Sequence, residues 1–89
     1  MAFALEVKGD SMTGKLIAPG DTVIVEPSLD PKPGDVVAAL IDGESTLKTF
    51  IKHRGKACLR AENPRYTDLI PAQELVIQGV MVALIRKRK

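Results

Sequence analysis

The chain has 89 residues and a hydrophobic share of 45%, which is enough for one domain with a single core. Aromatic residues make up only 3% and tryptophan is absent, which argues against a module that stacks nucleic-acid bases on aromatic rings. The formal charge of +2 comes largely from residues 86–89 at the C-terminus, so the rest of the chain is close to neutral.

Cysteine and histidine content narrow the chemistry further. Cys58 is the single cysteine, which excludes an intramolecular disulfide, and with one histidine there is no metal-ligand spacing. We therefore expect a cytoplasmic protein without a metal or cofactor. The longest apolar run, residues 36–41, is far too short to cross a bilayer, so we expect no membrane partner. The sequence shows neither a helix-turn-helix pattern nor a clustered basic face, so we expect no direct nucleic-acid binding by this domain.

The N-terminal third predicts a strand, a loop and a second strand. Residues 4–8 alternate apolar and polar side chains, as a short strand does, and Gly9-Asp10 then ends it. Ser11 therefore lies at a strand end, where reactive side chains are often displayed. Residues 12–18 predict one or two helical turns, and a Pro-Gly-Asp turn leads into a strand at 22–25.

A second Pro-Gly-Asp turn leads into the apolar strand at 36–41, and Asp42-Gly43 follows as a hairpin signal. If these two residues form a type I′ turn, Ile41 pairs with Glu44 and the ladder places Lys48 opposite Val37. Lys48 then shares its sheet face with three further side chains, those of Ala39, Thr46 and Phe50.

The C-terminal half predicts more strands and no long helix. The pattern indicates strands at 56–61 and 66–70, a turn or short helical turn at 71–74, and a long final strand at 75–86 that Gly79 bends. That strand is apolar on both faces, which fits either a central buried strand or a subunit interface. The predicted fold is mostly β, a single small domain of many short, largely antiparallel strands with at most two short helical turns.

Ser11 needs a base to act as a nucleophile, and His53 and Lys48 are the two candidates for that base. His53 has opposite parity to Lys48 along the strand, so it points to the other sheet face and is interpreted as a structural residue. Lys48 can act as a base if burial among its apolar neighbours lowers its pKa. From the residues alone, a solvated strand residue is the favoured interpretation of Lys48, and Gly9 to Met12 could be only a turn.

The ordered set of motifs resembles the C-terminal peptidase domain of LexA-type repressors, a family that includes UmuD-type mutagenesis proteins and self-cleaving phage repressors. The matching segments cover nearly the whole chain: residues 9–12, 20–25, 34–39, 42–48, 62–66 and 79–85. The resemblance implies that Ser11 is the nucleophile and Lys48 the general base, which later donates a proton to the leaving amine. It also implies that the backbone N–H groups of Asp10 and Ser11 form the oxyanion hole.

The same resemblance implies the partners. The substrate is a repressor segment upstream of the serine, the RecA–single-stranded-DNA filament stimulates its cleavage, and the domain dimerises near its C-terminal strand. Only ten residues precede Ser11, so we expect residues 1–89 to be a LexA-like Ser-Lys peptidase and dimerisation domain that lacks the DNA-binding domain and the cleavage-site region.

Three alternatives remain at this point. One is a UmuD-type processed fragment that serves as a non-catalytic dimeric partner of a translesion polymerase, and another is a phage-repressor domain. A type I signal peptidase also shares a Ser-Met start and a lysine base, but it requires a membrane anchor that the sequence does not contain.

Overall fold

A computed structural model describes residues 1–67, 69–72 and 75–87. These residues contain one short 3₁₀ turn, Thr13–Lys15, and the following strands: β1 (Phe3–Glu6), β2 (Thr22–Glu26), β3 (Val36–Ile41), β4 (Glu44–His53), β5 (Lys56–Arg60), β6 (Ile70–Pro71) and β7 (Val76–Ile85). The predicted mostly-β fold is confirmed. None of the helical segments in the described ranges has the length and apolar character that a membrane crossing requires.

The strands form one antiparallel sheet in the order β1-β2-β7-β3-β4-β5-β6. The last strand of the chain, β7, therefore lies in the middle of the sheet, paired with β2 on one side and β3 on the other. Its central position agrees with one of the two interpretations of its apolar sequence, but Val82 and Ile85 near its end remain exposed, so the sheet order does not exclude a subunit interface. The ladder between β3 and β7 shifts register between Ala38 and Ala39, which are opposite Gly79 and Ile77.

The β3–β4 hairpin has the predicted turn and the predicted register. Asp42 and Gly43 have φ angles of 50° and 81°, and this pair of positive values is what a type I′ turn requires. Ile41 is paired with Glu44, and the ladder continues until Val37 lies opposite Lys48. The local turn therefore determines which residues of β4 face those of β3.

Three predicted elements differ most from the sequence pattern. β1 ends at Glu6 because the backbone of Val7 bonds to the following turn, donating to the Asp21 carbonyl and accepting from the Gly20 N–H. The helical segment is a single 3₁₀ turn, which ends where Leu16 adopts a left-handed φ of 60°. The strand predicted at 66–70 overlaps β6 only at Ile70. The turn predicted at 71–74 falls partly on residues 73 and 74, which together with 68, 88 and 89 lie outside the described ranges.

Two apolar cores cover opposite faces of the sheet. Alternate residues of β3 belong to different cores, with Val36 and Ala38 in the first and Val37 and Ala39 in the second. The first core also takes Met12 and Ile17 from the segment after β1, and the second contains buried side chains from the later strands, Phe50, Leu59 and Val80. Central strands such as β3 are thus covered on both faces, which explains their nearly continuous apolar sequence.

The sheet curls around the first core. Three strands separate β1 from β4 in the sheet, yet residues 4–6 and 44–46 line one groove with a volume of about 480 Å³. A narrower cleft beside it reaches Ser11, Met12 and Leu47. The curl therefore brings the segment that follows β1 close to the middle of β4.

Candidate active site

Ser11 lies in the connection between β1 and the 3₁₀ turn. The chain leaves β1 and bends at Gly9, which has a φ of 79°. Directly after Ser11, the Met12 side chain is only 2% exposed and packs into the first core. A buried anchor next to the serine holds this connection against the sheet, while Ser11 itself is half-buried at the cleft.

The Lys48 amine lies at this serine. Its Nζ is 3.1 Å from Ser11 Oγ and 3.2 Å from the Leu47 carbonyl oxygen. Lys48 is half-buried, and burial lowers the pKa of its amine below the ordinary value because desolvation penalises the charged form. In the described part of the chain no carboxylate lies within ion-pair distance of Lys48 to oppose this effect.

This geometry suits proton transfer between the two side chains. A neutral lysine amine has a lone pair that can accept the serine hydroxyl proton across a contact of 3.1 Å. The Leu47 carbonyl accepts one of the amine hydrogens, which restrains the direction of the amine. The arrangement can therefore activate a serine for attack on a carbonyl carbon.

The other predicted residues lie as follows. His53 is exposed at the far end of β4, five positions after Lys48, and belongs to the β4–β5 hairpin. The structure therefore brings Ser11 together with Lys48 and leaves His53 apart. Within the described ranges, the backbone N–H groups of Asp10 and Ser11 donate no hydrogen bond, so both are free to meet a ligand oxygen.

The loop that follows β5 contacts residues 10–14, here called the serine segment, through backbone atoms. The Glu62 N–H donates to the Ser11 carbonyl at 2.8 Å, and the Glu62 carbonyl accepts from the Gly14 N–H at 2.6 Å. A Cβ on Gly14 would overlap the Glu62 carbonyl oxygen, so only glycine permits this approach. Sequence reasoning predicted a connection at 62–65 but not this contact, because backbone atoms leave no signal in the side-chain pattern.

Side chains of the same loop hold Asp10, the residue before the serine. The Tyr66 hydroxyl donates to Asp10 Oδ1 at 2.8 Å, and Arg65 lies 3.7 Å from Asp10 Oδ2. The hydrogen bond to the Asp10 carboxylate raises the pKa of Tyr66. Asn63 donates from Nδ2 to the Asp10 carbonyl at 2.8 Å. The serine segment is thus fixed on both sides of Ser11.

An ion pair between the buried Asp21 and the exposed Arg86 supports the segment that follows the 3₁₀ turn. Asp21 is 3% exposed, and Arg86 donates to its two carboxylate oxygens at 2.8 and 2.6 Å. With a further hydrogen bond from the Ala18 N–H, this contact lowers the pKa of Asp21 to about 2. Arg86 also donates to the Leu16 carbonyl, so the residue that follows β7 is bound to the chain just after the 3₁₀ turn.

Comparison with known proteins identifies the family. The peptidase S24-like family model matches residues 1–82, which include both Ser11 and Lys48. The chain belongs to this family. Over 84 residues the chain is 63% identical to the LexA repressor of Verrucomicrobium spinosum, and this match covers 94% of the chain and 41% of the relative.

Two further LexA repressors match over almost the whole S24-like chain. The one from Mycolicibacterium smegmatis is 47% identical over 85 residues, covering 96% of the chain and 35% of the relative. The one from Opitutus terrae is 46% identical over 88 residues, covering 98% and 44%. The chain therefore spans less than half the length of these curated relatives, and it is a LexA-type peptidase domain of the S24-like family.

Proposed function

We propose that residues 1–89 are the peptidase and dimerisation domain of a LexA-type repressor, and that Ser11 and Lys48 cleave a peptide bond of that repressor. The observation that carries this proposal is the 3.1 Å contact between Ser11 Oγ and Lys48 Nζ, at an amine whose pKa is lowered by burial. Membership of the S24-like family supports the reaction class.

The reaction proceeds in two stages at this pair. Ser11 Oγ attacks the carbonyl carbon while its proton passes to Lys48 Nζ, and the carbonyl oxygen takes up the negative charge. The N–H groups of Asp10 and Ser11 stabilise that oxygen. Lys48 then gives its proton to the departing amine, and it activates a water that releases the acyl group from Ser11.

The groove between β1 and β4 supports a substrate in the form of an extended segment. Residues 4–6 and 44–46 line it, and the adjoining cleft leads to Ser11. We propose that the segment upstream of the serine in the whole repressor occupies this groove. Its docking displaces water from Lys48, so binding and loss of the lysine charge reinforce each other.

Stimulation by a RecA–single-stranded-DNA filament fits the same site. A half-buried amine next to an open groove stays partly hydrated until the substrate segment is docked. A partner that favours the docked state therefore raises the rate without supplying a catalytic group. Cleavage of the whole repressor with and without the filament tests this, and equal rates would contradict it. The repressor reaction is expected to take place in the cytoplasm.

We propose dimerisation through the C-terminal strand region. β7 exposes large apolar side chains although it lies in the middle of the sheet: Val82 and Ile85 are each 53% exposed. Covering such side chains with a second copy removes apolar surface from water. Sedimentation should give a dimer, and Val82→Glu should shift it to monomer. A strict monomer at high concentration would contradict the proposal.

Cleavage in trans tests the peptidase itself. The substrate is the Verrucomicrobium spinosum repressor with its own matching serine replaced by alanine, so that it does not cut itself. Incubation with this chain at mildly alkaline pH should give two fragments in the mass spectrum. Ser11→Ala and Lys48→Met should give none. A spectrum that is identical for the wild-type chain and Ser11→Ala would overturn the proposal.

Lys52→Met is the matched control for the lysine. Lys52 lies on the same strand, is exposed, and makes no contact with Ser11, so its loss should leave cleavage unchanged. The alternative of a non-catalytic UmuD-type partner predicts no fragments from any variant together with a stable dimer. The same two measurements therefore separate the peptidase from the binding module.

A further inference from the structure

Both ends of the Asn63 side-chain amide are hydrogen-bonded, the NH₂ group to the segment around Ser11 and the oxygen within its own loop. Its Nδ2 donates to the Asp10 carbonyl at 2.8 Å and to Thr13 Oγ1 at 3.3 Å, and its Oδ1 accepts the Arg65 N–H at 2.9 Å. Since the oxygen is engaged by a backbone donor, the amide has one orientation, with its NH₂ group directed at the Asp10 carbonyl.

The contacted carbonyl belongs to the same peptide unit as the Ser11 N–H. This unit is planar and trans, as every peptide bond of the described chain is, so its N–H points opposite to its C=O. A bond that fixes the Asp10 carbonyl therefore also fixes the direction of the Ser11 N–H. The Thr13 N–H also donates to this carbonyl, but at 3.3 Å, so Asn63 makes the shorter of the two contacts.

The amide is carried on a rigid support. Glu62, the residue before Asn63, exchanges backbone hydrogen bonds with Ser11 and Gly14 at 2.8 and 2.6 Å. Asn63 therefore approaches the serine segment from a loop that is docked on that segment. A donor group held before the reaction begins stabilises developing charge more than one that must be reoriented.

We propose that Asn63 is a positioning residue that aims the Ser11 N–H at the oxygen of the scissile carbonyl. The inference rests on the proposed peptidase function. When Ser11 Oγ bonds to the carbonyl carbon and its proton passes to Lys48, the π electron pair moves onto the oxygen. Asn63 touches neither substrate nor nucleophile; it acts through the peptide plane that carries the donor.

Cleavage in trans by Asn63→Ala and Asn63→Asp tests the proposal. Asn63→Ala should lower kcat about 10-fold or more and change KM by less than about twofold, since complete loss of an oxyanion donor costs about 100- to 1,000-fold. Asn63→Asp should be slower still because it sets a carboxylate against the Asp10 carbonyl. Thr13→Val removes only the 3.3 Å contact between Asn63 Nδ2 and Thr13 Oγ1, so it should keep kcat within about twofold of the wild type.

Two further readouts separate positioning from a merely structural effect. The pH midpoint of kcat should stay that of the wild type, because the contact between Ser11 and Lys48 is unaltered. The Ser11 amide ¹⁵N signal should shift in Asn63→Ala and its hydrogen exchange should become faster, at a temperature where thermal melts show both proteins to be folded.

The outcomes distinguish the two proposals. If the wild-type chain cleaves and Asn63→Ala retains full kcat, the positioning role is overturned and the peptidase stands. If kcat falls only in proportion to the folded fraction, with no change at the Ser11 amide, the role is likewise overturned. If the wild-type chain and Ser11→Ala both leave the substrate intact, the peptidase proposal fails and the catalytic role of Asn63 fails with it.

Discussion

Lys48 lies directly opposite Val37 in the β3–β4 hairpin, and its amine nevertheless reaches Ser11, 37 positions earlier in the chain. The hairpin places the lysine next to a fully buried valine, and the curled sheet brings the serine to it. The apolar surroundings that lower the pKa of Lys48 are therefore part of the fold that positions the pair.

The first prediction concerns the pH dependence of serine reactivity. Attack by Ser11 needs a neutral Lys48, and burial lowers the pKa of this amine below its ordinary value of 10.5. The labelling rate of Ser11 with a fluorophosphonate should rise with pH and reach half its maximum below pH 10.5. Lys48→Met should abolish this rise while Lys52→Met retains it. A midpoint at or above the ordinary lysine value would contradict the prediction.

The second prediction concerns stability at the same residue. The unfolded chain holds the Lys48 proton more tightly than the folded chain, so the charged amine destabilises the fold below the folded-state pKa. Lys48→Met should therefore raise the free energy of unfolding at pH 7, because methionine carries no charge for burial to penalise. The gain should narrow as pH rises from the lowered pKa, where the folded lysine loses its proton, towards 10.5, where the unfolded lysine loses its proton as well.

Urea unfolding of the two proteins across this pH range measures the effect. Lys52→Met is again the control, and because Lys52 is exposed its effect should stay within about 0.5 kcal/mol at every pH. A wild-type protein that is more stable than Lys48→Met at neutral pH would show that the lysine contacts outweigh the cost of burying its charge.

The third prediction concerns the ion pair between Asp21 and Arg86. The folded-state pKa of Asp21 is lowered from 3.8 to about 2, so the carboxylate stabilises the fold above about pH 4 and loses this effect as pH falls towards 2. Arg86→Gln should lower Tm clearly at pH 6, and the difference from wild type should shrink between pH 4 and pH 2.

Arg65→Gln provides the matched control for this pair. Arg65 contacts Asp10 at 3.7 Å with an arginine side chain that is 79% exposed, so its loss should change Tm little at any pH. A loss of Tm in Arg86→Gln that is the same at pH 6 and at pH 2 would show that the arginine acts by packing and not by charge.

The fourth prediction concerns the close approach of Gly14 to Glu62. A Cβ at position 14 meets the Glu62 backbone, which has no freedom to yield as a side chain would. Gly14→Ala should therefore separate the two segments, lower stability by about 1–3 kcal/mol and slow the labelling of Ser11.

Lys15→Ala is the control in the same 3₁₀ turn. Lys15 is exposed and makes only a 3.8 Å ion pair with Glu62, so stability should change by less than about 0.5 kcal/mol. If Gly14→Ala labels as fast as Lys15→Ala, the docking of the 62–66 loop does not position the serine.

The β3–β4 hairpin is an element whose strand register could be predicted from the local sequence pattern. Asp42 and Gly43 tolerate the positive φ angles of a type I′ turn, and β-prone residues flank them on both sides, so the register of β3 against β4 could be read from the sequence. The same reasoning predicted that Lys48 and His53 point to different faces. The residues paired across this hairpin are close in the chain, so the geometry of the turn allows only one pairing of the two strands.

The sequence by itself determined the antiparallel β character, the hairpin register and, through resemblance, the pair of residues proposed for catalysis. Only the tertiary structure decided that Ser11 and Lys48 meet at 3.1 Å, that β7 occupies the middle of the sheet, and that Asn63 holds the Asp10 carbonyl. The physical reason is that these contacts join distant segments and depend on sheet curl and on backbone atoms that every residue shares. A side-chain pattern does not encode which carbonyl an asparagine will bind 53 positions away.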